Sequence, residues 1–361
     1  MNGMQGLGNQ FLDDLRTADA LIHVVDVSGT TDQNGKETIG YDPINDIDWL
    51  RSEIHSWVYN NLKKRWGSIV RRHQALKSPV GDTLQTQFSG YGANLAMVNK
   101  FVDKLAIKEP MEEWDDNMIK RVVDGFLDER FPTVVALNKI DLADADKNID
   151  HICRKYDESR IVLTSALAEI FLRKLHKQRF INYEEGTDRF ELAEDQDETA
   201  KDKLKPLDEK TRSRLEKVQD LVLFRYGTTG VQDTIKRAVD VLGLIPAYPV
   251  RNINNFTSGS GGRTGGVFRD CILIQPGTTV RQFAKIVHPE IDRYYQYAET
   301  IGSRRLGEDD IVTPDINIIS FKTAQEVRVS KTDGSGGGSG AGKGGAKAGT
   351  KKEDAGKGGD V

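Results

Sequence analysis

Residues 132–144, with the sequence PTVVALNKIDLAD, join a short apolar segment to a polar tetrad. Residues 133–137 are rich in valine and alanine, which is the pattern of a β-strand covered by helices on both faces. The strand is followed directly by the tetrad Asn138, Lys139, Ile140 and Asp141. Because open α/β sheets bind ligands at the carboxyl ends of their strands, we expect the polar side chains of this tetrad to face a ligand.

The tetrad is chemically suited to guanine. The carboxylate of Asp141 can accept two hydrogen bonds from the N1 and N2 protons of guanine, which adenine cannot donate. A site that leaves its own polar atoms unpaired with the wrong ligand discriminates by roughly 10⁴-fold or more. Asn138 would brace the loop and approach the base edge, and the stem of Lys139 would lie along the ring face. The alternative is a polar turn that follows a strand and binds nothing.

A second short strand supports the guanine interpretation. Residues 160–163, with the sequence RIVL, run into Thr164, Ser165 and Ala166. The distance of about 20 residues from the tetrad accommodates one helix between two parallel strands. A small Ser-Ala turn can present a backbone N–H to the O6 acceptor of guanine. We therefore predict a guanine pocket formed by Asn138, Lys139, Asp141, Ser165 and Ala166.

Composition indicates a soluble protein of two or three domains, with 361 residues, 37% hydrophobic and 29% charged. No apolar run approaches the roughly 18 residues needed to span a bilayer, and no signal-peptide pattern opens the chain, so we expect a cytoplasmic protein without a membrane partner. The net charge of -4 restricts any RNA contact to a local patch. Cys153 and Cys271 match no metal spacing, and we expect both to be reduced, buried thiols.

The beginning of the chain has the pattern of an α/β unit already under way. Residues 11–17 resemble the end of an amphipathic helix, and residues 20–25 resemble a third buried strand that closes on Asp26. Nucleotide domains normally start with a strand and a phosphate-binding GxxxxGK[ST] loop. Residues 29–37 are one residue too long for this motif, and residues 337–344 have glycine in place of the hydroxyl residue. We reject both as phosphate loops.

Residues 41–130 have helical periodicity. Asn45 or Asp46 is expected to cap a first helix, and two further helices are expected around residues 95–105 and 119–127. The aromatic residues of this segment are interpreted as helix–helix core, with a ligand or RNA-stacking role as the alternative. Either a solvated face or an RNA-contact patch accounts for a basic cluster that consists of Lys63, Lys64, Arg65, Arg71 and Arg72.

Residues 131–245 continue the nucleotide domain. Within them, residues 183–220 are densely charged and are expected to form a solvated excursion. An apolar face recurs over residues 228–242, where Gly243 is placed to end a helix.

The C-terminal part of the chain has two compositions. Residues 246–323 alternate short strand-like runs with turns around one amphipathic helix, which predicts a small β-grasp-like fold. His288, in this part, is interpreted as a turn or core residue because no catalytic partner motif accompanies it. Residues 324–361 are rich in glycine and lysine and are expected to be disordered.

Several stretches together resemble the YchF-like branch of the Obg-related GTPases: GLGNQFLDDLRTADALIHVVD, FPTVVALNKID, FRYGTTGVQDTIKRAVDVLGLIPAYPVRNI and FRDCILIQPGTTVRQFAKIVHPEID. The resemblance covers nearly everything before the tail. It implies an α/β fold with a P-loop-type, parallel-sheet G domain, N-terminally truncated here, an inserted helical domain and a C-terminal small β-grasp (TGS) domain. The implied ranges are 1–40 and 131–245 for the G domain, 41–130 for the helical insertion and 246–323 for the TGS domain.

The resemblance also implies a function. Its ligand is GTP or GDP, its partner is the ribosome or ribosomal RNA in translation, and its family activity is GTP hydrolysis. Some members with an altered tetrad prefer ATP, but Asp141 is the guanine-type residue.

The family's phosphate loop, first switch and Mg-sensing DxxG motif have no equivalent in this sequence, and an incomplete gene model or a truncated isoform is the expected reason. The Mg ligands are therefore absent, and we expect the 361-residue chain to bind GTP poorly without hydrolysing it. The alternative is a non-enzymatic ribosome- or RNA-binding module in which the G-domain remnant is structural.

Overall fold

The computed structural model describes residues 14–15, 17–32, 35–196, 203–257 and 266–324. The chain divides into two compact units. The first comprises Met1–Pro246, Leu273–Thr278 and Thr313–Asp315, and the second comprises Ala247–Ile272, Thr279–Val312 and Ile316–Val361. Within the described ranges, no helix is both long and apolar enough to cross a membrane. The expectations for residues 11–13 and for most of the segment 324–361 lie outside the described residues.

A parallel three-stranded sheet organises the first unit. Its strands are β1 (Leu21–Asp26), β2 (Thr133–Asn138) and β3 (Ile161–Thr164), in the spatial order β1–β2–β3. The middle of β2, residues 134–137, is buried, as expected for a central strand covered on both faces. The parallel α/β fold class predicted from the sequence is confirmed.

Strand β1 differs from the buried strand that was expected. Ile22 is 46% exposed and Val24 is 59% exposed, whereas Val25 is buried in a cluster with Ile44 and Ile47. Among the described strands β1 lies at the edge of the sheet, so only alternate side chains reach the core. An apolar sequence alone could not reveal this difference, because a strand buried on one face and one buried on both can have the same composition.

Five helices form the insertion between β1 and β2. They are α1 (Ile44–Lys63), α2 (Trp66–Leu76), α3 (Val80–Phe88), α4 (Leu95–Leu105) and α5 (Asp116–Arg130). Phe88, Phe101 and Phe126 are fully buried at their centre, and the rings of Phe88 and Phe126 stack with centroids 4.2 Å apart. These aromatic residues are therefore helix–helix core.

The start of α1 and the number of helices differ from expectation. Neither Asn45 nor Asp46 caps α1, which begins at Ile44 after Pro43. Instead, Asp42 Oδ1 accepts a hydrogen bond from the Ile44 N–H at 3.1 Å, and Asp46 lies in the first turn, where its charge favours the helix dipole. Helices α2 and α3 were not predicted individually, although residues 41–130 were expected to be helical.

In the described part of the first unit, four helices of ten or more residues follow β2: α6 (Ala145–Lys155), α7 (Ala166–Lys177), α8 (Glu209–Val218) and α9 (Val231–Val241). A π-helical segment, Gln219–Leu223, and a short helical turn, Phe224–Tyr226, continue directly from α8. Helix α6 connects the parallel strands β2 and β3, as the spacing of the two motifs predicted. Gly243 has a φ of +64° two residues after α9 ends, so it terminates this helix as expected.

The charged segment 183–220 is not simply a solvated excursion, and that expectation is wrong. Strands β4 (Ile181–Tyr183) and β5 (Phe190–Leu192) form an antiparallel hairpin. A small apolar cluster joins this hairpin to α7 and α8, and its buried residues are Leu172, Leu175, Ile181, Tyr183, Leu215 and Leu223. The cluster contains few apolar residues, and these are spread widely along the sequence. They therefore form no periodic pattern from which the cluster could be predicted.

The C-terminal sheet contains β6 (Ile245–Pro249), β7 (Ile272–Ile274), β8 (Tyr295–Thr300), β9 (Arg304–Leu306) and β10 (Ile318–Thr323), in the order β7–β6–β10–β8–β9. Strand β10 is parallel to β6 and antiparallel to β8. The amphipathic helix α10 (Val280–Val287) buries Phe283, and the short helix α11 (Pro289–Arg293) follows it. This mixed sheet with one principal helix is compatible with the expected small β-grasp domain.

Two residue-level expectations can be placed in this fold. His288 lies between α10 and α11, where its Nδ1 accepts a hydrogen bond from the Glu290 N–H at 3.2 Å, so it is a turn residue. Both cysteines are free thiols, but Cys271 is exposed and Cys153 is only half-buried. The expectation that both are buried is therefore wrong.

Candidate guanine-binding site

The register of the parallel sheet brings three polar residues to one edge. Asp26 at the end of β1 pairs with Asn138 at the end of β2, and Asn138 pairs with Thr164 at the end of β3. The residues that follow these strands therefore meet at the carboxyl edge of the sheet, where ligands bind in open α/β folds.

Asn138 joins the tetrad to the turn after β3. Its Oδ1 accepts a hydrogen bond from the backbone N–H of Ala166 at 3.0 Å. Lys139 adopts a φ of +69°, and the next N–H, that of Ile140, donates to Thr164 O at 3.4 Å. A left-handed non-glycine residue costs of order 1–3 kcal/mol and persists where the surroundings fix it. The tetrad is thus held in one conformation by contacts to the neighbouring strand.

Asp141 is oriented by Ser165. The hydroxyl of Ser165 donates to Asp141 Oδ1 at 2.8 Å, and Ser165 is also the N-cap residue of α7, where its Oγ accepts from the Ala168 N–H. Within the described part of the chain, the other carboxylate oxygen of Asp141 has no hydrogen-bond partner. A carboxylate fixed through one oxygen retains acceptor capacity for the two N–H donors of a guanine edge.

One detail differs from the expected pocket. The Ala166 N–H, expected to face the O6 atom of guanine, is already used by Asn138, and the Ser165 N–H donates to Thr229 O at 2.9 Å. For Ala166 to donate to a base, the side chain of Asn138 would have to release it. The five predicted residues therefore lie together, but the Asn138–Ala166 hydrogen bond would have to exchange before the Ala166 N–H could donate to a base.

Lys139 is held by a carboxylate that no sequence motif had assigned to the site. Its Nζ donates to Asp26 Oδ2 at 2.6 Å, and Asp26 also accepts from the hydroxyl of Ser28 at 2.6 Å and from the hydroxyl of Thr31. Burial disfavours the charged form of Asp26, but the hydrogen bonds from Lys139, Ser28 and Thr31 outweigh it and lower the pKa of Asp26 to about 2. An ionised Asp26 therefore fixes Lys139 at the edge of the candidate pocket.

A glycine-containing loop before α9 supports the Ser165 turn from behind. Gly230 has a φ of +74°, and a Cβ atom there would lie 1.8 Å from Leu163 O, so only glycine fits. Thr229, which accepts from the Ser165 N–H, donates its own hydroxyl to Glu169 Oε2 at 2.6 Å. Sequence reasoning did not identify this support, although the motif GTTG at residues 227–230 could have indicated it, because two glycines flanking two threonines favour a tight loop.

The carboxylate beneath this loop is fully paired. Glu169 is only 3% exposed, and its oxygens accept from Arg173 Nε at 2.5 Å, from Tyr183 OH at 3.1 Å and from the Thr229 hydroxyl. Burial is the main reason that the pKa of Tyr183 rises to about 12, and the nearby Glu169 charge adds to it. Glu169 is thus a structural acceptor that ties α7, the β4–β5 hairpin and the loop together.

Across the described residues, no group of three or more His, Cys, Asp or Glu side chains could hold a metal ion. The residues at the carboxyl edge fit a base, through Asp141, Ser165 and Asn138, and they include no Ser or Thr hydroxyl from a GxxxxGK[ST] loop. The arrangement can recognise a heterocycle, and its chemistry is hydrogen-bond selection.

Comparisons with known proteins agree with this geometry. A family model described as "Obg-like GTPase YGR210-like, G4 motif-containing domain" matches residues 136–252, which include the tetrad and the Ser165 turn. An uncharacterised GTP-binding protein of Schizosaccharomyces pombe is 49% identical over 320 residues, or 88% of this chain and 76% of that protein. An uncharacterised GTP-binding protein of Methanocaldococcus jannaschii is 34% identical over 302 residues, or 81% of this chain and 70% of that protein.

A solved structure extends the agreement to the fold. The crystal structure of a GTP-binding protein from Pyrococcus horikoshii superimposes with a TM-score of 0.63 at 32% sequence identity, covering 87% of this chain and 81% of that one. Similarity at this level of identity extends beyond the sheet and its tetrad to most of the molecule. The chain belongs to the Obg-related GTP-binding proteins.

Proposed function

We propose that this protein binds guanine nucleotides at the carboxyl edge of the β1–β2–β3 sheet, with Asp141 as the residue that selects the base. The observation that carries the proposal is the joining of two motifs. Ser165 fixes one oxygen of Asp141, and Asn138 reaches the backbone of Ala166. Lys139, held by Asp26, is available to lie along the ring face. The names of the relatives as GTP-binding proteins support the same ligand.

The proposal includes a limit on catalysis by these 361 residues. Phosphoryl transfer depends almost wholly on positioning and charge stabilisation around the phosphates. The sequence has no GxxxxGK[ST] loop, and base contacts alone do not supply that stabilisation. The chain is therefore proposed to bind GTP weakly and to hydrolyse none of it measurably. GTP hydrolysis and Mg binding belong to the family and depend on motifs that this sequence does not carry.

The proposed setting is the cytoplasm, where the protein associates with the ribosome or ribosomal RNA in translation through its helical insertion and its C-terminal TGS-type domain. Family membership supports this setting by analogy. The second candidate function is a non-enzymatic ribosome- or RNA-binding module with a structural G-domain remnant. It is favoured by Lys64, Arg65, Arg71 and Arg72, which are exposed and enter no ion pair within the described ranges.

Saturation-transfer NMR with GDP and ADP at millimolar concentration tests base selection, because it detects weak binding by the whole chain. Wild type is expected to favour GDP, and Asp141→Ala is expected to reduce that preference about ten- to a hundredfold, since a hydrogen bond to a charged group is worth about 1.5–3 kcal/mol. Asp144→Ala is the matched control, because Asp144 lies in the same loop, is exposed and caps no N–H. In a separate assay, wild-type protein incubated with GTP is expected to release no phosphate.

Three results would contradict the proposal. An unchanged GDP preference in Asp141→Ala would remove the tetrad from the site. Micromolar GTP binding, equivalent to about 8 kcal/mol, or phosphate release above the uncatalysed rate would show that residues outside the tetrad and the Ser165 turn bind the phosphates.

A further inference from the structure

The helical insertion contains a cavity that the guanine site does not use. It has a volume of about 450 Å³ and lies among α1, α3 and the turn that follows α3. A volume of this size is within the range of about 300–1,000 Å³ found for small-ligand clefts. It is lined by Trp57, Val58, Asn61, Leu62, Lys64, Arg65, Gln87, Phe88, Gly90 and Tyr91.

The floor of the cavity is apolar and its wall is aromatic. Val58, Leu62 and Phe88 are buried, whereas Trp57 and Tyr91 are each half-buried. The rings of Trp57 and Tyr91 meet edge to face with centroids 4.8 Å apart. A half-buried aromatic surface that is fixed by a second ring is suited to stack against a flat ligand.

The polar groups of the cavity are those that pair with a base edge. Asn61 is exposed, and its Nδ2 donates to Tyr91 OH at 3.1 Å, which leaves its carbonyl oxygen and its second N–H for a ligand. Gln87 offers a second side-chain amide on the opposite helix. Amides supply both a donor and an acceptor, the combination that reads the edges of unpaired bases.

The charge at the cavity is wholly positive. Lys64 and Arg65 line it, no carboxylate does, and neither cation enters an ion pair within the described ranges. Three other lysines of the insertion do enter ion pairs, since Lys63 pairs with Asp116, and Lys100 and Lys104 both pair with Glu129. Helix α2 adds Arg71 and Arg72, which are also exposed and enter no ion pair within the described ranges. These four uncompensated cations favour a polyanion over a neutral ligand.

We infer that this cavity binds one unpaired nucleotide of single-stranded RNA, with the base against Trp57 and the flanking phosphates on Lys64 and Arg65. A paired base cannot enter a cavity with a closed floor, so duplex RNA is excluded as the ligand. The inference deepens the RNA association of the proposed function by assigning it a site. It does not depend on guanine binding at Asp141.

Fluorescence anisotropy with a 5′-labelled, single-stranded RNA of twelve mixed A and U residues tests the site in the whole chain. Lys64→Gln/Arg65→Gln is expected to weaken binding about tenfold and to reduce the log-log salt slope by roughly 1.4, or about 0.7 for each phosphate of a single strand that is no longer neutralised. Lys210→Gln/Lys217→Gln removes the same charge from exposed positions on α8 and is the matched control, expected to change affinity less than twofold.

The stacking interaction has its own variant. Trp57→Leu is expected to weaken binding about tenfold with an unchanged salt slope, and Trp57→Phe is expected to restore most of the affinity because it restores an aromatic face. Circular dichroism melts identify a variant that fails to fold, and Gln87→Ala, on the cavity wall, then replaces it with the same expected direction. Competition with free UMP distinguishes a strand from a mononucleotide, and UMP is expected to displace the RNA only at far higher concentration.

Three results would overturn the inference. These are equal losses for the Lys64/Arg65 and Lys210/Lys217 variants, binding of a blunt duplex as tight as that of the single strand, or an unchanged affinity in both Trp57→Leu and Gln87→Ala. Asp141→Ala is expected to leave RNA affinity unchanged, so a failed guanine site and a failed RNA site give different results. If wild type binds no RNA, the cavity is not an RNA site, and ribosome sedimentation tests the wider association separately.

Discussion

At the scale of single residues, Asp26 links the loop after β1 to the guanine tetrad. It lies opposite Asn138 in the parallel register and accepts from Lys139, Ser28 and Thr31. From the sequence, Asp26 was identifiable only as the end of a strand, because its partner Lys139 is distant along the chain and no local motif connects them. The proximity of Asn138, Asp141 and Ser165 was predictable, because the two motifs follow strands at the spacing of parallel neighbours.

The contribution of Asp26 to stability is predicted to depend on pH. Its folded-state pKa of about 2 lies below its ordinary value of 3.8, so its stabilising effect is fully present above about pH 4 and is lost as pH falls towards 2. Asp26→Asn is expected to lower the free energy of unfolding by about 1–2 kcal/mol at pH 7, after allowance for solvent screening. Urea unfolding at several pH values measures this loss of unfolding free energy, and the control variant is Asp144→Asn, because Asp144 is exposed.

The difference in stability between wild type and Asp26→Asn is expected to decrease as the pH falls. Below pH 4 the difference in unfolding free energy between wild type and Asp26→Asn should shrink, because wild-type Asp26 becomes protonated and loses its ionic interaction with Lys139. If the difference in unfolding free energy instead stays constant from pH 7 to pH 3 and below, the charge of Asp26 is not the cause. The Asp26→Asn variant would then be less stable because its side chain packs or hydrogen-bonds less well than that of Asp26.

At the scale of elements, the strands and helices with strong periodicity were predictable and the charged ones were not. Strand β2 and helices α4 and α5 are evident from apolar residues that recur at the correct period. The β4–β5 hairpin has three residues in each strand and relies on Glu169 and a few dispersed apolar contacts. Such an element is stabilised by tertiary partners, which a sequence window does not contain.

The loop before α9 offers a prediction with an internal control. Gly230→Ala would place a Cβ atom 1.8 Å from Leu163 O, so the loop must move and the Thr229–Ser165 hydrogen bond must lengthen. Gly227→Ala has a similar φ of +76° but meets no atom within 4 Å, so it suffers only the backbone strain of about 1–3 kcal/mol.

Gly230→Ala is therefore expected to lose more unfolding free energy than Gly227→Ala, and also to weaken GDP binding, because Ser165 orients Asp141. Urea unfolding followed by circular dichroism gives the first quantity and saturation-transfer NMR the second. Equal losses in the two variants would mean that the loop relaxes without disturbing the end of β3, and the proposed support of the base site would then be incorrect.

At the scale of the whole molecule, the two units carry different parts of the proposed function. The first unit contains the candidate guanine tetrad and the cavity proposed to bind RNA, and the second contains most of the C-terminal sheet. The sequence could indicate both units, because the first has its own motifs and the second has its own pattern of strands. The function of the second unit rests on family resemblance, since its described residues contain no comparable constellation of site residues.

The last prediction concerns how the second unit contributes to ribosome association. Arg304 and Arg305 are exposed on β9, and the guanidinium of Arg305 lies 4.1 Å from the ring centroid of Tyr297 on β8. An arginine held on an aromatic ring presents a pre-positioned cation to phosphate. Arg304→Gln/Arg305→Gln is therefore expected to reduce co-sedimentation with purified ribosomes, and to reduce it most at low salt, where each phosphate contact contributes most.

A salt series on sucrose gradients measures this effect, with Lys210→Gln/Lys217→Gln as the variant of equal charge. The control should co-sediment as wild type does, since its lysines lie on α8 in the first unit and not on β8 or β9. If the arginine variant and the control lose the same amount, binding responds to net charge and not to this sheet. If neither loses any, the second unit does not contact the ribosome through β9, and the helical insertion becomes the sole proposed RNA contact in the described part of the chain.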